Sequence, residues 1–181
     1  MLTGDERVKH IIKQADYYGY SGDKVKGLIF CSSIKEAEEL SAKFNQMHNP
    51  STGCLFRTIA LNGSSSEKER ENAFERLAMN EDEATFENQP LDYILSVEIL
   101  NEGVDIIEVN QVIMLRPTQS PIVFIQQLGR GLRKANGKEY VVILAFIGNY
   151  NNNFMIPVAL SGDRSYNADV IRKYVISGNS T

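Results

Sequence analysis

The amino-acid sequence predicts a three-layer α/β domain in which a mainly parallel sheet is flanked by helices. Segments of strand and helix character alternate along most of the 181 residues. The predicted strands are short, continuously apolar runs, which is typical of a parallel sheet buried on both faces. Hydrophobic residues make up 43% of the chain and charged residues 23%, a globular composition with enough apolar surface for a core.

The first third of the chain supplies two helices and a strand. Apolar residues recur at helical spacing across residues 7–17, and Gly19 is expected to end that helix. The apolar run 25–31 suits a buried strand. Ser33 and Glu36 form a capping box that opens a second helix, which the polar stretch 49–53 ends.

The middle of the chain repeats this alternation. A strand is predicted at 58–61, followed by a turn at Asn62-Gly63. Ser66 and Glu69 form another capping box before a helix with an apolar face. The acidic stretch 80–92 is expected to be a solvated surface loop, and an autoinhibitory mimic of nucleic acid is the alternative.

Three further strands are predicted, at 93–97, 111–115 and 139–146. Short helices are expected near 154–160 and 167–175. The chain accordingly divides into a domain of residues 1–150 and a helical extension of the same domain, residues 151–181.

Between the last two of these strands, Ser120-Pro121 opens a helix that carries the most distinctive stretch of the chain. At about 100° per helical residue, Gln126, Arg130 and Arg133 fall on one narrow face, and the apolar residues lie opposite. Guanidiniums in a fixed array suit phosphate, because their donors match its oxygens and their charge persists at physiological pH. A solvated basic helix face is the alternative.

The charge distribution agrees with an anion site near this helix. The net charge of −4 argues against a strongly basic, free-standing nucleic-acid binder. However, residues 81–92 carry acids and no bases, whereas residues 116–138 carry bases and no acids. Positive charge is therefore concentrated around the predicted arginine face.

The sequence gives no sign of a membrane span, a secretory leader, a disulfide or a metal site. The apolar run 140–147 is too short to cross a bilayer, and no leader sequence opens the chain. Cys31 and Cys54 form no close pair, so we expect reduced thiols in the cytoplasm. His10 and His48 show no metal-ligand spacing, and we expect no metal site.

Ligands of open parallel sheets bind beyond the carboxyl ends of the strands. Small, polar or charged residues stand at those positions here: Ser32, Ser33, Gly63, Ser64, Ser96 and Arg116, with Gly103 and Asp105 before the fourth strand. The sequence therefore predicts a site at this edge.

Four segments share an order and spacing that point to a known family. They are Gly-Leu-Ile-Phe-Cys-Ser-Ser (27–33), Leu-Asn-Gly (61–63, with Arg70 and Phe74 behind it), the run 94–105 ending in Asn-Glu-Gly-Val-Asp, and Gln-x-x-Gly-Arg-x-x-Arg (126–133). Together they resemble motifs of the second RecA-like domain of superfamily 2 helicases of the DEAD/DEAH type. The nearest likeness is to bacterial DNA helicases of the restriction and repair kind.

The resemblance implies roles in ATP hydrolysis. Arg130 and Arg133 would be arginine fingers that neutralise charge on the γ-phosphate, and Gln126 would position the phosphate or the attacking water. Gly103 would bring the backbone close to the nucleotide. Asp105 would contact the ribose or hold the arginines.

The resemblance also implies that Ser32, Ser33, Gly63 and Ser96 contact nucleic-acid phosphates, of DNA in preference to RNA. Other roles remain open: helix caps for Ser33 and Ser66, ordinary turn residues for Gly103 and Asp105, and a surface charge for Arg116. Two positions depart from the family pattern, since Ser96 replaces a common threonine and Ile107 a common proline.

The sequence lacks two parts of a complete motor. No Gly-Lys-Ser/Thr phosphate loop occurs, and no Asp-Glu box falls on a predicted strand. We therefore expect a first RecA-like domain in the same full-length chain to hold most of the ATP and Mg²⁺, and the isolated chain to be inactive. The alternatives are an ATP-independent nucleic-acid-binding or scaffolding module, or a complete small α/β enzyme. No membrane partner is expected.

Overall fold

The computed structural model describes residues 4–97, 108–116, 140–147 and 154–161, the last range by its backbone alone. The α-helices in these ranges are α1 (Gly4–Tyr18), α2 (Ile34–Phe44) and α3 (Glu67–Ala78). The strands are β1 (Gly27–Phe30), β2 (Thr58–Leu61), β3 (Tyr93–Ser96), β4 (Gln111–Met114), β5 (Tyr140–Ile147) and β6 (Phe154–Ser161).

The strands form one six-stranded sheet in the order β2-β3-β1-β4-β5-β6. The strands from β1 to β5 pair in parallel, and β6 pairs antiparallel with β5 at the edge. The prediction of a mainly parallel sheet is therefore confirmed.

Helices cover both faces of this sheet, as the apolar strands predict. Successive strand residues point to opposite faces, and the core accordingly has two parts. One part lies under α1 and α2 and includes Ile29, Leu95 and Leu144. The other lies under α3 and includes Leu28 and Ile94. The predicted three-layer α/β class is confirmed.

Local chemistry sets three helix boundaries where the sequence predicts them, whereas α1 begins earlier, at Gly4, and α2 ends earlier, at Phe44. Gly19 follows α1 with a φ of +65°, a conformation that glycine adopts without strain, and its N–H donates to the Ala15 carbonyl at 3.0 Å. Ser33 and Ser66 are the N-caps of α2 and α3, and each hydroxyl accepts a backbone N–H of the first helical turn.

A buried polar chain holds the end of α1 against the sheet. The Tyr93 hydroxyl lies 2.5 Å from Gln111 Oε1, and Gln111 Nε2 donates to the carbonyls of Ala15 and Gly19 at 2.9 and 2.8 Å. A Cβ at Gly27 would lie 2.2 Å from the Tyr93 ring, so this arrangement requires glycine there. The position of α1 is thus set by contacts with β3 and β4.

The helix predicted near 154–160 is wrong, because these residues form β6. Its backbone pairs with all of β5, from Tyr140 opposite Ser161 to Ile147 opposite Phe154. Pro157 would interrupt a helix, whereas an edge strand tolerates proline because one side of its backbone needs no partner. The helices predicted around 120–133 and 167–175 lie outside the described residues.

Candidate nucleic-acid interface

Three predicted contact segments meet at the carboxyl edge of the sheet. β2, β3 and β1 are neighbours, and Leu61, Ser96 and Phe30 are aligned across them. With about 4.8 Å between neighbouring strands, the segments that follow β2 and β1 begin roughly 10 Å apart, on either side of the end of β3. The structure therefore brings Ser32, Ser33, Gly63 and Ser96 to one edge, as expected for a parallel sheet.

Ser32 and Ser33 form the exposed turn between β1 and α2. Ser33 Oγ accepts the Glu36 N–H at 3.1 Å, so its role as a helix cap is confirmed. A hydroxyl that accepts one hydrogen bond keeps its own proton as a donor. The positive end of the α2 dipole also favours an anion beside this turn.

The Ser32 N–H is engaged by a carboxylate that the sequence did not single out as a site residue. It donates to Glu36 Oε2 at 2.5 Å, and the other oxygen of Glu36 lies 2.6 Å from Arg7 Nη1 on α1. The predicted capping box is thus half formed, because Ser33 Oγ accepts the Glu36 N–H whereas the Glu36 carboxylate accepts the N–H of Ser32, one residue before the cap. Nothing in the sequence indicates Arg7, because it reaches this turn only through the packing of α1 on α2.

The turn after β2 is built by its own side chains. The backbone N–H and the hydroxyl of Ser64 donate to Asn62 Oδ1 at 2.9 and 2.6 Å, which forms an Asx turn. Arg70 Nη2 donates to the carbonyls of Asn62 and Gly63 at 3.2 and 3.4 Å. Gly63 is exposed, and a Cβ there would meet nothing within 4 Å. The backbone at Gly63 is therefore open to a ligand.

Ser66 has a structural role. Its hydroxyl and the Glu69 carboxylate satisfy each other's backbone N–H groups, so both bonds of the predicted capping box are present. The Ser66 N–H donates to Glu69 Oε2 at 2.7 Å and the Glu69 N–H donates to Ser66 Oγ at 3.2 Å. The interpretation of Ser66 as a helix cap is confirmed.

The end of β3 is held from both sides. The Cys31 N–H donates to the Ser96 carbonyl at 2.8 Å, and Arg116 Nη1 donates to the Val97 carbonyl at 2.8 Å. Arg116 therefore makes a structural contact that fixes the chain where it leaves β3. Ser96 itself is half-buried at the same edge.

Cys31 is buried directly under this edge. Burial raises the pKa of the Cys31 thiol to about 12, with a further rise from Glu36 and a smaller opposing effect of Arg7. A thiol with so high a pKa carries almost no thiolate at neutral pH. Cys31 therefore serves as a core residue and offers no nucleophile to the interface.

The predicted ATP-contacting residues lie outside the described residues. Gln126, Arg130 and Arg133 fall within 117–139, and Gly103 and Asp105 fall within 98–107. Their roles stay predictions. In the part of the chain that the structure describes, no group of three or more His, Cys, Asp or Glu is placed to hold a metal ion.

The acidic stretch is anchored at the opposite, amino edge of the sheet. Arg57, immediately before β2, donates its backbone N–H to Asp92 Oδ2 at 2.9 Å, and its guanidinium pairs with Glu81. Lys24 Nζ lies 3.6 Å from Glu81. The exposed acids of the stretch agree with the predicted surface loop, and their position leaves the carboxyl edge uncovered by it.

Burial shapes the electrostatics of this amino edge. It raises the pKa of Asp92 and lowers the pKa of Lys24, because the charged form of each is poorly solvated there. Burial also raises the pKa of Glu81, but Arg57 and Lys24 outweigh that effect and the net pKa lies below its ordinary value. The two bases Arg57 and Lys24 thus lie beside the two acids Glu81 and Asp92.

No helix among the described residues has both the length and the apolar character needed to span a membrane.

The model of the helicase conserved C-terminal domain matches residues 6–135 of this chain. The chain is 30% identical over 148 residues to the ATP-dependent DNA helicase MPH1 of Debaryomyces hansenii, an alignment covering 74% of this chain and 13% of that protein. It is 44% identical over 62 residues to the DEAD-box ATP-dependent RNA helicase FANCM of Arabidopsis thaliana. That alignment covers 34% of this chain and 4% of that protein. The chain thus spans a small fraction of these relatives.

A solved structure gives the same fold. The SWI2/SNF2 ATPase core of Sulfolobus solfataricus, in complex with double-stranded DNA, superimposes with a TM-score of 0.54 at 20% identity. The superposition covers 80% of this chain and 26% of that one. At this identity the likeness concerns the fold alone, which is RecA-like.

Proposed function

Because this chain belongs to the helicase conserved C-terminal domain family, we propose that it is the second motor domain of an ATP-dependent superfamily 2 nucleic-acid helicase or translocase. In this proposal it supplies arginine fingers and strand contacts. A first RecA-like domain of the same full-length chain holds most of the ATP and Mg²⁺. The matched range 6–135 includes every motif on which the proposal depends.

The observation that carries the strand contacts is the alignment, at the carboxyl edge, of two exposed turns with the half-buried end of β3 between them. Ser33 and Ser96 contribute hydroxyl donors, and the turns at Ser32 and Gly63 contribute backbone N–H groups. Such donors hold phosphates without reading base sequence, as a motor that moves along a strand requires. We propose DNA as the strand, in line with the name of the ATP-dependent DNA helicase MPH1, whose alignment covers 74% of this chain.

On the ATP side, Arg130 and Arg133 reach across a cleft to the γ-phosphate held by the first domain, and Gln126 positions the phosphate or the attacking water. Gly103 and Asp105 line the nucleotide. Closing the cleft brings these groups together, and hydrolysis lets it reopen. Alternating grips on strand phosphates at the carboxyl edge convert this cycle into movement.

The proposal predicts that ATP hydrolysis requires both domains. The isolated 181-residue chain should hydrolyse no ATP in a phosphate-release assay, because it has no phosphate loop of its own. In the full-length protein, Arg130→Ala or Arg133→Ala should lower ATP turnover by about a thousandfold, as expected for an arginine finger, while nucleotide binding stays within a few-fold of wild type.

The matched control is Lys138→Ala. It removes a basic residue of the same stretch, 116–138, outside the motif 126–133, and should leave turnover unchanged. Normal turnover in both arginine variants would refute the finger assignment. Turnover by the isolated chain would refute the two-domain division, and a full-length protein that binds strands without hydrolysing ATP would favour the ATP-independent module.

A further inference from the structure

The turn between β1 and α2 holds a carboxylate where the proposed interface needs a phosphate. Glu36 accepts the Ser32 N–H with one oxygen, at 2.5 Å, and pairs with Arg7 through the other, at 2.6 Å. The Glu36 side chain is 16% exposed and the Arg7 side chain 34% exposed. Both side chains therefore lie beside the carboxyl edge of the sheet, and the Arg7 guanidinium is partly exposed to solvent.

A carboxylate oxygen and a phosphate oxygen are acceptors of the same kind, and one N–H group cannot serve both fully. A phosphate arriving at Ser32 would also be repelled by the charge of Glu36. Arg7 has the opposite property, because its guanidinium is permanently charged and its fork of donors fits phosphate as well as carboxylate.

The packing of α1 keeps Arg7 beside this turn. Val8 and Ile11 next to it on the helix are 0% and 1% exposed in the core shared with α2, and Gln111 anchors the other end of α1. Arg7 therefore stays near Ser32 even when its ion pair with Glu36 is broken.

We propose that Arg7 is a further phosphate-binding residue of the strand interface and that Glu36 is its internal competitor. In the free protein, Glu36 occupies both the Ser32 N–H and the Arg7 guanidinium. A strand phosphate displaces Glu36 and takes over both donors. This inference rests on the proposed strand contacts at the carboxyl edge and adds to them a residue from α1.

The test is binding of the 181-residue chain to a fluorescent single-stranded oligodeoxynucleotide at several salt concentrations. Glu36→Gln is isosteric and should strengthen binding about fivefold, as expected when one like charge about 4 Å away in water is removed. Arg7→Gln should make the negative slope of log K against log salt shallower by about 0.7, the value for one phosphate contact on a single strand. Lys13→Gln, an exposed base farther along α1, should leave the slope unchanged.

The double variant Arg7→Gln/Glu36→Gln separates a direct contact from an indirect one. If Arg7 touches the strand, its loss should still make the slope shallower by about 0.7 when residue 36 is already neutral. If Arg7 only restrains Glu36, its loss in that background should change nothing, and the inference is overturned. Arg7→Lys keeps the charge and should restore the slope, which excludes misfolding as the cause.

The outcomes also separate this inference from the function on which it rests. Binding with an unchanged slope in Arg7→Gln, or weaker binding in Glu36→Gln, overturns the Arg7–Glu36 inference alone. A chain that binds neither the DNA oligonucleotide nor its RNA counterpart, in any variant, overturns the strand interface itself.

Discussion

Ser33 combines two roles at the scale of a single residue. Its hydroxyl caps α2 by accepting the Glu36 N–H at 3.1 Å, and a hydroxyl that accepts one hydrogen bond keeps its own proton as a donor. A cap and a phosphate donor are therefore compatible at this position. The cap fixes the oxygen in place, which is what a positioned donor requires.

The two cysteines should differ sharply in reactivity. Cys31 is buried with its pKa raised to about 12, whereas Cys54 is exposed. At pH 8 a colorimetric thiol reagent should therefore modify one thiol per folded chain within minutes and both after unfolding in guanidinium. Cys54→Ser should abolish the fast reaction. Fast loss of two thiols from the folded wild type would contradict the burial of Cys31.

At the scale of an element, α3 depends on its capping box. Ser66→Ala removes the hydroxyl that accepts the Glu69 N–H and should cost about 1 kcal/mol in the free energy of unfolding, measured by urea denaturation. Lys68→Ala, an exposed change in the same turn, should be within about 0.5 kcal/mol of wild type.

The same box predicts how α3 responds to acid. Hydrogen bonds from the Ser66 backbone and hydroxyl lower the pKa of Glu69 below its ordinary value of 4.5. A depressed pKa stabilises the fold above pH 4.5, and that stability is lost as pH falls through the folded pKa. Glu69→Gln removes the titrating carboxylate and should therefore lose less stability than wild type between pH 5 and pH 3; an equal loss would exclude Glu69 as the cause.

How much of each element could be predicted depends on how local its cause is. Gly19 and the caps Ser33 and Ser66 act within one turn of chain, so the end of α1 and the starts of α2 and α3 could be predicted from the sequence. The end of α2 at Phe44, before the polar stretch 49–53, could not. β6 could not, because its strand conformation depends on pairing with β5 and the sequence does not reveal that pairing. The contact of Arg7 with Glu36 was missed for the same reason, since it forms only after α1 packs on α2.

The edge of the sheet at which the candidate site lies could be predicted, because the predicted sheet is parallel. Parallel strands send their carboxyl ends to one edge, so Ser32, Gly63 and Ser96 were expected to share it. Their adjacency depends on the order β2-β3-β1, which the structure supplies. The bonds of Glu36 to Ser32 and Arg7 could not be predicted, because the capping-box pattern assigns that carboxylate to the N-cap of its own helix.

At the scale of the whole molecule, the two edges of the sheet have separate characters. The amino edge carries the anchored acidic stretch, in which Arg57 and Lys24 offset Glu81 and Asp92. The carboxyl edge carries the exposed turns proposed to meet the strand. A net charge of −4 is thus compatible with strand binding, because the acids of this stretch lie away from the proposed contacts.

The central claim is that a nucleic-acid strand lies across the carboxyl edge, and amide shifts in a ¹H–¹⁵N spectrum of the 181-residue chain test it most directly. On addition of a single-stranded oligodeoxynucleotide, the amides of Ser32, Ser33, Gly63 and Ser96 should move together, while those of residues 81–89 stay in place. Movement confined to the amino edge around Arg57, with the four carboxyl-edge amides unchanged, would contradict the account.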